Sequence, residues 1–134
     1  MTIEKELILK SEYEEVEKVE TLLNELQTEL GFNDEFYAKL MLTVSEAATN
    51  GIIHGNQLDP SKKVVLTAKC DGKKLTFITK DQGSGFVPSE VPNPLAEENL
   101  LKPSGRGVFL MKEYAETVEY QDGGTKLILG FKLP

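Results

Sequence analysis

The sequence predicts an α+β protein with helices packed on one face of a largely antiparallel sheet. Helical periodicity is concentrated between residues 11 and 55, while alternating segments dominate from residue 63 onward. Two glycine-bearing turns, Asp71-Gly72 and Asp122-Gly123-Gly124, each lie between alternating segments, which is the pattern of a hairpin.

The elements follow in order. Ile3 to Leu9 alternates and reads as a short strand. Ser11-Glu12-Tyr13-Glu14 has the form of a capping box, in which the Ser11 hydroxyl accepts a free backbone N–H and Glu14 reaches back. Val16, Val19, Leu22, Leu23, Leu26 and Leu30 then recur at helical spacing, and Gly31 supplies the stop. Asn33 caps a second, longer helix through Phe36, Leu40, Val44, Ala47 and Ala48 to about His54-Gly55. Lys63 to Lys69 is a β-branched run, Asp71-Gly72 the expected two-residue turn, and Lys73 to Lys80 the returning strand. Residues 82–104 contain six Gly or Pro and little periodicity, so they read as a long loop, the kind that usually serves function in a compact domain. Gly105 to Tyr114 reads as a third helix, and Glu116 to Tyr120 with Thr125 to Leu133 as a last hairpin.

Composition narrows the function classes. With 134 residues, 40% of them hydrophobic, the chain reads as one domain, residues 1–134, able to bury a core. Its net charge of −7 argues against direct nucleic-acid binding, which wants a basic surface. Residues 1–30 carry nine of the acids against three lysines, so the first helix has an acidic outer face: either a solvated surface or a partner-docking one. One cysteine, Cys70, excludes an internal disulfide and a cysteine-cluster metal site, and one histidine, His54, excludes a multi-histidine centre. Cys70 reads as a small buried hydrophobe. No run approaches the ~20 apolar residues that a membrane span needs, and the charged start lacks an apolar signal core. The expected setting is therefore cytoplasmic.

Three segments carry candidate chemistry. Glu46 and Asn50 stand four apart in the second helix and share a face, a row that His54 continues at about 6 Å per step. A carboxamide oxygen can ligate Mg²⁺, and a carboxylate one turn away can accept a proton from a hydroxyl. Asp81-Gln82-Gly83-Ser84-Gly85 follows a strand directly. Its two glycines allow backbone to approach a flat ligand, and Asp81 can accept a hydrogen bond from an exocyclic amine. Ser104-Gly105-Arg106-Gly107 opens the third helix, where free N–H groups and a cation suit phosphate. Neither the GxxxxGK[ST] loop nor GxGxxG in a βαβ unit is present, which disfavours those two nucleotide folds.

The order Glu46-Ala47-Ala48-Thr49-Asn50 with His54-Gly55, then Asp81-Gln82-Gly83-Ser84-Gly85, then Gly105-Arg106-Gly107 resembles the N, G1 and G2 boxes of the histidine-kinase-like ATPase superfamily. Within it, the likeness is to the bacterial anti-sigma factor serine kinases. The resemblance implies a Bergerat-type two-layer α/β sandwich with ATP and Mg²⁺ as cofactors. By that likeness Asn50 ligates Mg²⁺, Glu46 is the general base toward a serine or threonine hydroxyl, and Asp81 binds the adenine amine with Gly83 and Gly85 giving it room. Thr125 assists at adenine, while Gly105, Arg106 and Gly107 border the triphosphate, helped by Lys102 in the lid. The partners implied are an anti-anti-sigma antagonist protein and a sigma factor, with a homodimer as in relatives. Three readings stay open: a kinase acting on the antagonist, a nucleotide-gated binding module that transfers no phosphate, and a structural domain that binds no nucleotide.

Overall fold

The structure is a computed structural model that describes residues 2–83 and 113–134. Strands β1 (Ile3–Lys10), β2 (Lys63–Cys70), β3 (Lys74–Lys80), β4 (Thr117–Gln121) and β5 (Lys126–Lys132) form one sheet in the order β1-β2-β3-β5-β4. All four pairings are antiparallel. Helices α1 (Glu17–Leu30) and α2 (Asp34–Asn50) supply the second layer. The predicted α+β sandwich is the observed architecture.

Register explains why the helices have a single face to cover. Ala68, Phe77, Leu129 and Val118 align across four strands, as do Cys70, Leu75 and Phe131 across three. Strand side chains alternate, so these rows point to one side. There they form a common core with Val19, Leu23 and Leu26 of α1 and Leu40, Val44 and Ala48 of α2. An edge-to-face aromatic chain ties the layers together. Phe32 meets Phe36 at 5.1 Å, Phe36 meets Phe131 at 6.2 Å, and Phe131 meets Phe77 at 5.9 Å. Cys70 is buried on β2, as its small apolar character suggests.

Several local signals are realised as read. Gly31 ends α1 at φ +73°, a left-handed position where a side chain is strained. The Asn33 side chain accepts the Phe36 N–H at 2.9 Å and caps α2. The last hairpin turns through a 3-10 turn at Asp122–Gly124.

Others are corrected. Ser11 does not cap a helix: its hydroxyl donates to the Lys62 carbonyl at 2.7 Å and accepts from Asn56 at 3.0 Å. Glu15, not Glu14, reaches back, taking the Lys10 N–H at 3.0 Å, and a 3-10 turn (Tyr13–Val16) leads into α1. The β2–β3 turn is shifted by one residue. Asp71 and Lys74 face each other (N–H to carbonyl, 3.2 Å), so Gly72 and Lys73 are the central pair, with positive φ at Gly72 alone. That is the type II′ pattern. The second helix changes character before His54: α2 stops at Asn50 and the chain continues as a π-helical turn, Gly51–Gly55. Of the predicted third helix, Glu113 and Tyr114 are helical, and the remainder lies outside the described residues, as does most of the 82–104 loop.

Candidate functional site

The site forms where the end of α2 meets the end of β3. The π turn closes with the Asn56 N–H donating to the Gly51 carbonyl at 2.8 Å and widens the helix there. Such single wide turns recur at functional sites. The i→i+5 step breaks the four-residue row, so Glu46 and Asn50 are half-buried while His54 is exposed.

Three glycines allow the π turn to lie against the β3 end. A Cβ at Gly51 would stand 3.1 Å from Val64 Cγ2 and 3.7 Å from Asp81 Cβ. One at Gly55 would overlap the Asp81 carboxylate, coming to 2.7 Å from Oδ1. One at Gly83 would overlap the Gly55 carbonyl. Absence of these side chains lets the turn that follows Asn50 lie against Asp81 and Gly83, from segments some thirty residues apart in the chain. Gly83 thus makes room for the Gly55 carbonyl of the protein's own π turn.

Asp81 is held on two sides. Its N–H donates to the Thr125 carbonyl at 2.9 Å, and its Oδ1 accepts the Gly83 N–H at 2.9 Å. Its Oδ2 has no hydrogen-bond partner among the described residues, so an acceptor remains for an incoming donor. Burial pushes the Asp81 carboxyl up, with the Gly83 N–H and the charges of Lys80 and Lys62 pulling the other way.

Asn50 presents the clearest unfilled valence. Its Oδ1 is buried and has no partner among the described residues. A buried acceptor left alone is costly, so such an atom points to a bound group. A neutral, hard oxygen donor fits Mg²⁺, which takes few protein ligands and completes its shell with water and phosphate oxygens. Among the described residues there is no cluster of three or more His, Cys, Asp or Glu that could hold a metal ion. Glu46 lies one turn before Asn50, and burial pushes its carboxyl above the ordinary range. A carboxylate so raised is a better proton acceptor near neutral pH.

Thr125 is buried beside Asp81 and contributes its backbone carbonyl to it. Its hydroxyl donates to the Asp122 carbonyl at 3.0 Å and accepts from Lys80 at 2.7 Å. Lys80 also pairs with Asp122 at 2.9 Å. Gly85, Lys102, Gly105, Arg106 and Gly107 lie outside the described residues. The sequence reading did not single out Asn56, a fully buried residue bonded to the Gln82 N–H at 2.7 Å. Its signal was present as an asparagine directly after His54-Gly55, but local pattern cannot show a partner 26 residues away.

Comparison with known proteins places the chain in a family. The model of the histidine kinase-like ATPase domain matches residues 9–131. The chain is 35% identical over 95 residues to the anti-sigma F factor of Clostridium perfringens (strain 13 / Type A), covering 67% of this chain and 68% of that protein. It is 33% identical over 87 residues to the anti-sigma F factor of Shouchella clausii, covering 63% and 60% respectively. The matched region spans both the Glu46–Asn50 helix and the Asp81 strand end: this chain is a member of the histidine kinase-like ATPase family.

Proposed function

We propose that the protein is an anti-sigma factor of the kinase type. It binds Mg-ATP, associates with a sigma factor, and phosphorylates a serine or threonine of an anti-anti-sigma antagonist protein. The observation that carries the reading is the buried Asn50 oxygen, without a partner among the described residues, one helical turn from a half-buried Glu46 and directly before the turn that Gly51 and Gly55 let lie against Asp81. The anti-sigma F factor names of the relatives support the partner class.

Each residue has a distinct task in this reading. Asp81 Oδ2 accepts from the exocyclic amine of adenine and orients the base. Asn50 Oδ1 holds the metal. Thr125, through its carbonyl on the Asp81 N–H, keeps the strand end in place. Gly85, Gly105, Arg106 and Gly107 border the phosphates. When bound, Mg-ATP supplies the phosphoryl group and the positive charge that offsets its oxygens. Glu46 takes the proton from the incoming hydroxyl, and burial gives it the basicity to do so.

The test is transfer of γ-labelled phosphate from ATP to a candidate antagonist protein. Label on the antagonist supports the kinase. A nucleotide-dependent complex that never becomes labelled shows a binding module in its place, and no nucleotide dependence of any kind rejects both.

A further inference from the structure

We infer that Asn56, with Gln82 and Ser11, is a latch that positions Asp81 and so determines how sharply the site selects its base. The inference rests on the nucleotide reading above and concerns residues that touch the base only through Asp81.

Asn56 is fully buried, and each of its side-chain polar atoms is used. Its Nδ2 donates to the Ser11 hydroxyl at 3.0 Å and to the Lys63 carbonyl at 3.0 Å, and its Oδ1 accepts the Gln82 N–H at 2.7 Å. Gln82 returns the tie: its Oε1 accepts the Lys63 N–H at 2.7 Å. Ser11 closes the loop by donating to the Lys62 carbonyl at 2.7 Å. Asn56 also donates its own N–H to Gly51, so one residue joins the π turn, the start of β2 and the residue after Asp81.

The consequence for Asp81 is direct. Its carboxylate lies against Gly55, the residue before Asn56, and bonds Gly83, the residue after Gln82. The Asp81 backbone is fixed to β5 by its N–H on the Thr125 carbonyl, whereas its carboxylate is fixed through Gly83, and the bonds to Gln82 tie that following segment to the π turn and the start of β2. Loosening them lets the carboxylate swing while Asn50 and Glu46, on regular helix, stay where they are. The expected signature is loss of base discrimination with the metal-dependent part of binding unaffected.

The experiment uses the full chain and compares dissociation constants for ATP and for inosine triphosphate, which carries a carbonyl where adenine has its amine. Gln82→Met keeps the size of an exposed side chain and removes the acceptor for Lys63. Gln82→Glu keeps the acceptor. Asn56→Asp keeps the oxygen facing Gln82 and removes the donor. The parent should prefer ATP by about tenfold or more, the size of one hydrogen bond to a charged group. Gln82→Met and Asn56→Asp should shrink that ratio at least about threefold, Gln82→Glu should restore it, and the Mg²⁺ dependence should be the same in all. A merely structural network would lower Tm and leave the ratio intact, and that result overturns the inference while sparing the nucleotide reading. Should Asn56→Asp not fold, the Gln82 pair decides. A parent that does not distinguish the two triphosphates refutes the adenine contact itself, and the latch with it.

Discussion

Glu46 and Asn50 stand on one helix face, yet burial acts on them differently. Burial raises the Glu46 carboxyl because the charged form loses solvent, whereas the Asn50 oxygen is neutral and lacks a partner among the described residues. The proton-accepting form of Glu46 is the ionised one, so transfer should rise with pH through an apparent pKa above the ordinary 4.5. A pH–rate profile of labelled transfer would show this, and Glu46→Gln should abolish transfer while ATP still binds. Stability has the opposite sign. A carboxyl raised in the folded state stabilises fully below its unfolded value and loses that contribution as pH rises through the folded value. Glu46→Gln should therefore be at least as stable as the parent at pH 7.5, with the advantage gone at pH 4; thermal melts at both values check it. Asn50→Ala should cancel the Mg²⁺-dependent part of the ATP-induced rise in Tm and keep the fold. An equal rise in parent and variant would remove Asn50 from the metal site.

Among elements, the π turn is what local reading could not supply. Periodicity identified α2 through Ala48, because Leu40, Val44 and Ala48 repeat on the core side. No sequence rule used there distinguishes a wide i→i+5 turn from a continued helix, so His54 was placed in a row it leaves. Ser11 was misread for a related reason: the pattern of a capping box is local, while Asn56 and Lys62, which capture the hydroxyl, lie 45 and 51 residues away. Gly31 and Asn33 were legible because their tasks are completed within one turn of chain. The glycines can be tested against each other on this basis. Gly55→Ala drives a methyl into the Asp81 carboxylate, at the point where two elements touch. It should cost about 1–3 kcal/mol, as overpacking does, and weaken ATP at least about tenfold. Gly31→Ala meets nothing within 4 Å and suffers only its positive φ. It should cost about 1 kcal/mol and leave ATP affinity alone. Denaturant melts and nucleotide titrations on the pair measure both, and equal losses of affinity would show that Gly55 acts through global stability.

For the molecule as a whole, the layer order was readable because both layers advertise one apolar face. Strand alternation and the helical repeat each point to the same core, where Phe131 of β5 meets both Phe77 of β3 and Phe36 of α2. Of the site, the local placements were readable, Glu46 and Asn50 on α2 and Asp81 after β3, but what brings the turn after Asn50 against Asp81 is a set of missing Cβ atoms and a buried asparagine, features of tertiary contact. That dependence yields a prediction about global stability. The site joins α2, β3 and the start of β5, through Asn50, Asp81 and Thr125, so a ligand seated there bridges both layers and must report on unfolding of the whole sandwich. Mg-ATP at about 100 times its Kd should add about 2.7 kcal/mol if it binds only the folded state. For a chain of this length that is a rise in Tm of roughly 10 °C. ADP should give a smaller rise if the terminal phosphate contributes, and Asp81→Asn, which turns one acceptor into a donor facing the adenine amine, should remove most of it for ATP. A rise of the same size in Asp81→Asn would mean that the nucleotide is held by its phosphates alone and that the base lies elsewhere.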